Sequence, residues 1–202
     1  MSNLINIIEE RRSVKVYDPN VEISRSELSE LLALAGRAPS AWNLQHWHFM
    51  VFSSKESKQK LFPLAFNQAQ IVESSAVIAV LGDKEVQKKV EPVFGPDVEA
   101  GRMSPEVKDV LAGQVNRAYQ NKEKALTAAY LNASLAAMQL MLAAKAKGWD
   151  TCPIGGFNSS GLIEEFEIES RYEPIMLITI GKALQPGRET TRLDVKTIST
   201  WL

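Results

Sequence analysis

Ala125-Leu126-Thr127-Ala128-Ala129-Tyr130-Leu131-Asn132-Ala133-Ser134-Leu135-Ala136-Ala137-Met138-Gln139-Leu140-Met141-Leu142-Ala143-Ala144 is a run of twenty residues without a charge. As a helix it is about long enough to span a bilayer. Thr127, Asn132, Ser134 and Gln139 interrupt it, however, and alanine supplies much of its apolar count. Lys122, Lys124, Lys145 and Lys147 flank both ends with no orientation bias. A helix apolar on all sides also marks one buried in a protein core or at a subunit interface. That second reading decides the fold: a folded domain with no membrane segment.

Working outward, Gly148 is a natural left-handed terminator for the long helix. Pro153-Ile154 is strand-like, and Ile175 to Ile180 predicts a strand closed by Gly181. On the N-terminal side, residues 83–124 are dense in charge and sparse in apolar residues, with prolines at 92, 96 and 105. Ser104 followed by Pro105 reads as a cap and first helical position, so this excursion carries a helix. It is either a substrate lid or a plain surface insertion. Val77 to Leu81 is a short continuous apolar run, as in a strand buried on both faces, and Trp47 to Phe52 reads as another strand. Ser53 with Glu56 suggests a helix start. Ser24 with Glu27 forms a capping-box pattern before Leu28, Leu31, Leu32 and Ala35, a helix that stops before Pro39. Leu4, Ile5, Ile7 and Ile8 predict a short first helix ending near Arg11-Arg12. Helices outnumber strands and do not alternate regularly with them, so one α+β domain over residues 1–202 is expected.

Composition is that of an ordinary globular chain, 45% hydrophobic and 23% charged. With 23 basic and 24 acidic residues the net charge is −1, which gives no field to attract nucleic acid or an anionic membrane. Cys152 is the one cysteine, so no intramolecular disulfide forms, and the N-terminus lacks a signal-peptide pattern. A reducing cytoplasm is the expected compartment.

Four segments carry candidate chemistry: Arg11-Arg12-Ser13-Val14-Lys15-Val16-Tyr17-Asp18, Pro39-Ser40-Ala41-Trp42-Asn43-Leu44-Gln45, Pro153-Ile154-Gly155-Gly156-Phe157 and Thr190-Thr191-Arg192-Leu193. A guanidinium is always charged and fits phosphate oxygens two at a time. Cations at a helix exit also offset the C-terminal dipole, and the arginine pair alone does not separate the two readings. The four segments in this order, over roughly residues 3 to 199, resemble the nitroreductase family of flavin mononucleotide (FMN) enzymes. The resemblance implies a three-layer fold with a central mixed sheet between helices. It also implies an intertwined homodimer with two flavin sites at the subunit interface.

The resemblance assigns Arg11 and Arg192 to the FMN phosphate, with Ser13 as a hydroxyl donor and Arg12 as a further flavin contact. Lys15 would approach the N1 and O2 edge of the ring, where a cation favours the reduced form. Pro39, Ser40, Ala41 and Asn43 match a loop that reaches the flavin from the partner subunit, with Gln45 a further contact. Asn67 and Gln70 would bond the ring edge, since an amide offers both donor and acceptor. Pro153 and Ile154 lead to Gly155 and Gly156, whose missing side chains permit close backbone approach. In the family a backbone N–H of this turn faces flavin N5. Trp42, Phe66 and residues 92 to 120 are candidates for the acceptor pocket. Two departures from the family stand out. Many relatives carry an acidic residue where Gly155 stands, and some carry lysine where Gln70 and Thr190 stand.

Other candidates are weaker. His46 and His48 have no cysteine or acidic partner to complete a metal set, and packing beside Trp42 and Trp47 is expected instead. Cys152 reads as a buried, inert thiol. No G-x-G-x-x-G or P-loop motif is present, so NADH or NADPH would enter and leave as a substrate. The implied activity is ping-pong hydride transfer from NAD(P)H through FMN to a nitroaromatic, quinone or similar small-molecule electron acceptor, with no side-chain nucleophile or general base. The rival readings are a non-catalytic flavin-binding sensor or reservoir, a family member with specialised chemistry, and a structural homodimer without cofactor.

Overall fold

The computed structural model describes residues 4–202, so the first three residues of the expected domain lie outside the described residues. The chain begins with α1 (Leu4–Glu10) and α2 (Arg25–Ala35), then passes a 3-10 turn (Ala41–Asn43) into β1 (Trp47–Phe52). Next come α3 (Lys55–Leu64), α4 (Gln70–Glu73) and β2 (Ala76–Asp83). A 3-10 turn (Val86–Lys89), α5 (Val90–Glu99) and α6 (Pro105–Tyr119) lead to the long α7 (Lys122–Ala146). The chain closes with β3 (Asp150–Ile154), α8 (Ser159–Glu165), β4 (Tyr172–Gly181) and α9 (Val195–Ile198).

The α+β class and the three layers are found as expected. The strands lie in the order β1-β2-β4-β3, and every pairing between them is antiparallel. Within the described residues the parallel part of the expected mixed sheet is confined to one isolated bridge, Ser13 to Thr151. β2 is buried along its whole length, because its alternate residues feed two cores. Ala76, Ile78 and Val80 join Ile178 and Ile180 under α2 and α7, where Leu28, Leu31, Ala133, Ala137 and Leu140 pack. Val77, Ala79 and Leu81 join Leu177 on the other face with Leu61, Ile71 and Leu162, from α3, α4 and α8.

Among the described residues α7 is the one helix long and apolar enough to cross a membrane, yet its alanine-rich side lies on the sheet. A Cβ on Gly82 would sit 2.7 Å from Ile175 Cδ1 and 3.0 Å from Ala129 Cβ, so small residues on both partners set the helix-to-sheet spacing. The burial is one-sided rather than all round: Tyr130, Leu131, Leu135 and Met138 are exposed. The helix ends as predicted, with Gly148 at φ +76°.

The 83–124 excursion differs most from its sequence expectation. It folds around a third core of Val86, Phe94, Val115 and Tyr119, joined by Leu44, Ala125 and the partly buried Trp42. Its apolar residues are spread over a 3-10 turn and the helices α5 and α6, and they meet only across those elements. Local caps are largely as read: Ser24 and Glu27 make both capping-box bonds, and Ser104 caps α6 with Pro105 in its first turn. The cap of α3 is Ser54 rather than Ser53, its hydroxyl accepting from the Ser57 amide at 3.1 Å.

Candidate active site

The chain leaving α1 crosses to the edge of β3, where the Val14 amide donates to Thr151 O at 3.1 Å. Farther along, the segment after β4 folds back over it, the Leu184 amide donating to Val16 O at 3.0 Å. Gly187 then lies so close that a Cβ there would stand 2.5 Å from Arg12 Cβ and 3.0 Å from Ser13 O. This contact, which requires glycine, brings two distant basic segments together around a cleft of about 480 Å³. Arg11, Arg12, Ser13, Lys15, Arg188, Thr190 and Arg192 line it, with no carboxylate.

The two arginines at the helix exit divide the two readings between them. Arg12 Nη1 donates to Glu9 O, and at 3.0 Å to Arg11 O, so its guanidinium closes the end of α1. Arg11 does not: its Nη1 is buried without a hydrogen-bond partner. Burial, then the nearby Arg192 and Arg12, pull the Arg11 pKa below its ordinary value. Arg192 is oriented by Thr190 Oγ1 at 2.6 Å and Thr191 O at 2.9 Å. A buried, unpartnered guanidinium donor among like charges is a site for a multiply charged oxyanion, and a phosphate monoester fits it.

A second cluster forms where α3 ends. Phe66 and Asn67 adopt left-handed backbone (φ +55° each) and are exposed. Gln68 Nε2 donates to Gly156 O and to Ala65 O, each at 2.9 Å, and Gln70 Nε2 donates to Gln68 Oε1 at 3.2 Å. Asn67 and Gln70 are thus brought beside the Gly155-Gly156 turn that follows Pro153 and Ile154. Nothing lies within 4 Å of a Cβ built on either glycine, so this turn presents bare backbone to open space, as close approach of a flat ring requires.

The predicted segment at residues 39–45 stands apart. None of Pro39, Ser40, Ala41, Asn43 and Gln45 lines the arginine cleft. Ala41 N donates to Asn132 Oδ1 on α7 at 2.8 Å, and the Gln45 amide donates to Ser40 Oγ at 2.9 Å. Trp42 packs edge-on against Tyr119, with ring centroids 5.8 Å apart. The loop therefore belongs to the side of the chain that carries the excursion.

The remaining candidates settle into structural roles. His46 is fully buried, its Nε2 hydrogen-bonded to Tyr119 Oη at 2.8 Å, while His48 stacks on Tyr172. Among the described residues no group of three potential metal ligands exists. Cys152 is buried, and burial raises its thiol pKa against the opposing pull of Lys15, Ser13 and Arg11. Sequence reasoning missed Gln68, Gly187 and Arg188. It also missed a buried ionic network in which Asp83 pairs with Arg171 at 2.5 Å and Lys89 at 3.1 Å. Gly187 and Arg188 lie within a few residues of Arg192, so their proximity in sequence was a signal; the Asp83–Arg171 pair, 88 residues apart, carries none.

A family model described as the Nitroreductase family matches residues 8–182. "Putative NAD(P)H nitroreductase YodC" of Bacillus subtilis (strain 168) is 55% identical over 202 residues, 100% of each chain. The "CLA biosynthesis enone reductase" of Lactiplantibacillus plantarum is 35% identical over 100% of this chain and 95% of that one. Among solved structures, a "putative nitroreductase in complex with FMN" from Exiguobacterium sibiricum 255-15 superposes with a TM-score of 0.94 at 40% identity. The match covers 100% of this chain and 98% of that one.

Proposed function

The chain belongs to the nitroreductase family, and from that membership we propose that it is an FMN-dependent NAD(P)H oxidoreductase working by a ping-pong cycle. The observation that carries this reading is the buried, unpartnered Nη1 of Arg11 in a cleft with five cationic side chains and no carboxylate. When bound, FMN would supply hydride chemistry at N5, taking a hydride from NAD(P)H and returning an electron pair to the acceptor. The chain's own residues bind and orient. Arg11, Arg192 and the Ser13 hydroxyl hold the phosphate, and Arg12 lends charge while capping α1. Lys15 favours negative charge on the reduced ring. Asn67 and Gln70 offer amides to its polar edge, and the Gly155-Gly156 turn offers backbone N–H. No side chain serves as nucleophile or general base, and water supplies protons to the product.

The loop of Pro39, Ser40, Ala41, Asn43 and Gln45 serves the cleft of a second copy in a homodimer. The exposed apolar stripe of Leu131, Leu135 and Met138 on α7 supports such an interface. Trp42 and the exposed Phe66 face the acceptor, a nitroaromatic, a quinone or another conjugated compound such as an enone. The reading places the protein in the cytoplasm, where NADH and NADPH are supplied. Anaerobic addition of NADH or NADPH to the FMN-loaded protein tests it. The yellow flavin band should bleach and return on addition of a quinone or nitroaromatic. A bound flavin that neither nicotinamide reduces would instead identify a flavin carrier or sensor.

A further inference from the structure

Trp42, Asn43 and Gln45 have φ of +52°, +55° and +50°. Side chains resist this left-handed region, and three such residues in one short loop persist only where the surroundings over-determine them. Some of the restraint is local, from Ser40 Oγ, and some comes from Asn132 Oδ1 on α7. The rest comes from the 83–124 excursion. Leu44 is fully buried in the excursion's core with Val86, Phe94 and Val115. Tyr119, at the end of α6, packs edge-on to both Trp42 and His46 and hydrogen-bonds His46 Nε2 at 2.8 Å. Lys89, just before α5, donates to Gln45 O at 2.6 Å and to Trp47 O at 3.2 Å. Its ammonium is also paired with Asp83 at 3.1 Å. Asp83 is in turn fixed by Arg171 and by the Glu85 amide at 2.9 Å. The ammonium has three protons and three acceptors, so its position is fully determined.

We propose that the excursion is a clamp for the flavin loop, and that Lys89 and Tyr119 are positioning residues for the cofactor. Neither lines the arginine cleft. They hold residues 39–45 in the one backbone shape that meets the flavin of the second copy. This inference rests on the function proposed above. Its consequence is that flavin retention depends on residues of the excursion as much as on the phosphate-binding arginines.

Two variants test it. Tyr119→Phe keeps the ring and removes only the bond to His46. Lys89→Met keeps the stem and leaves Asp83 its bonds to Arg171. FMN and riboflavin are titrated into each deflavinated protein, and the thermal midpoint is followed in parallel. Removing hydrogen bonds of this kind should weaken binding about three- to tenfold in Tyr119→Phe and about tenfold in Lys89→Met. The clamp assigns the loop to the ring side of the cofactor rather than its phosphate, so the loss should be equal for FMN and riboflavin, and Lys89→Arg should recover part of it. Affinities within twofold of the unsubstituted protein, or a loss confined to FMN, would overturn the clamp. If the unsubstituted protein binds no flavin, the proposed function fails and the clamp with it.

Discussion

Arg11 and Arg12 leave α1 side by side, yet only Arg12 is occupied by the helix end. Arg11→Ala should therefore lower FMN affinity roughly ten- to a hundredfold, the scale of a charge-assisted bond, and leave riboflavin affinity unchanged; parallel titrations check this. Arg12→Ala should cost less affinity. The resemblance already assigned Arg11 and Arg192 to a phosphate; what the sequence could not show is that Arg12 is taken up by the helix end, or that a distant strap returns over Arg12 and Ser13 at Gly187 to close the cleft. His46 supplies a separate prediction. Burial, with help from Lys89, lowers its pKa from 6.5 to about 4, so the fold holds a neutral imidazole. Between those values the unfolded chain takes up a proton that the folded chain refuses. The stabilisation is complete above about pH 6.5 and is lost as pH falls towards 4, on the order of 1 to 3 kcal/mol in all. Urea unfolding at pH 7 and pH 4.5 should show a smaller drop in His46→Gln than in the natural chain.

The elements that could be read in advance are those whose neighbours cover both faces or whose caps are local. β1 is found at Trp47–Phe52 as predicted, and β2 extends the apolar run at Val77 to Leu81 by one residue before it and two after. β3 was visible only at Pro153-Ile154. Asp150, Thr151 and Cys152 show no alternation that marks a strand, and they are extended because they pair with Thr179, Ile180 and Gly181 of β4. The excursion looked coreless because its core is shared with Leu44 and Trp42, residues forty or more positions away. The packing of α7 on the sheet leaves no room for a side chain at Gly82. Gly82→Ala places a methyl against Ala129 Cβ and, at 3.1 Å, the Ala129 backbone, and neither can rotate away. A destabilisation of about 1 to 3 kcal/mol is expected, measurable as a lowered denaturation midpoint with an unchanged m-value.

Across the whole chain, the mix of helices and strands disclosed the α+β class, but not the strand order β1-β2-β4-β3. In the proposed homodimer the loop of one copy, held by its excursion, would complete the arginine cleft of the other, and the exposed stripe of Leu131, Leu135 and Met138 on α7 is the face proposed to join them. Leu131→Glu, at a position 65% exposed in the single chain, would bury a charge in the proposed interface. It should yield monomers in sedimentation, folded but with weakened flavin binding. In the proposed function Arg11 and Arg192 hold a phosphate-bearing flavin through its phosphate. Titrated side by side into the deflavinated protein, FMN should bind at one per chain and at least about tenfold more tightly than riboflavin; uptake of neither, or of both with equal affinity, would show that the arginine cleft does not hold the phosphate.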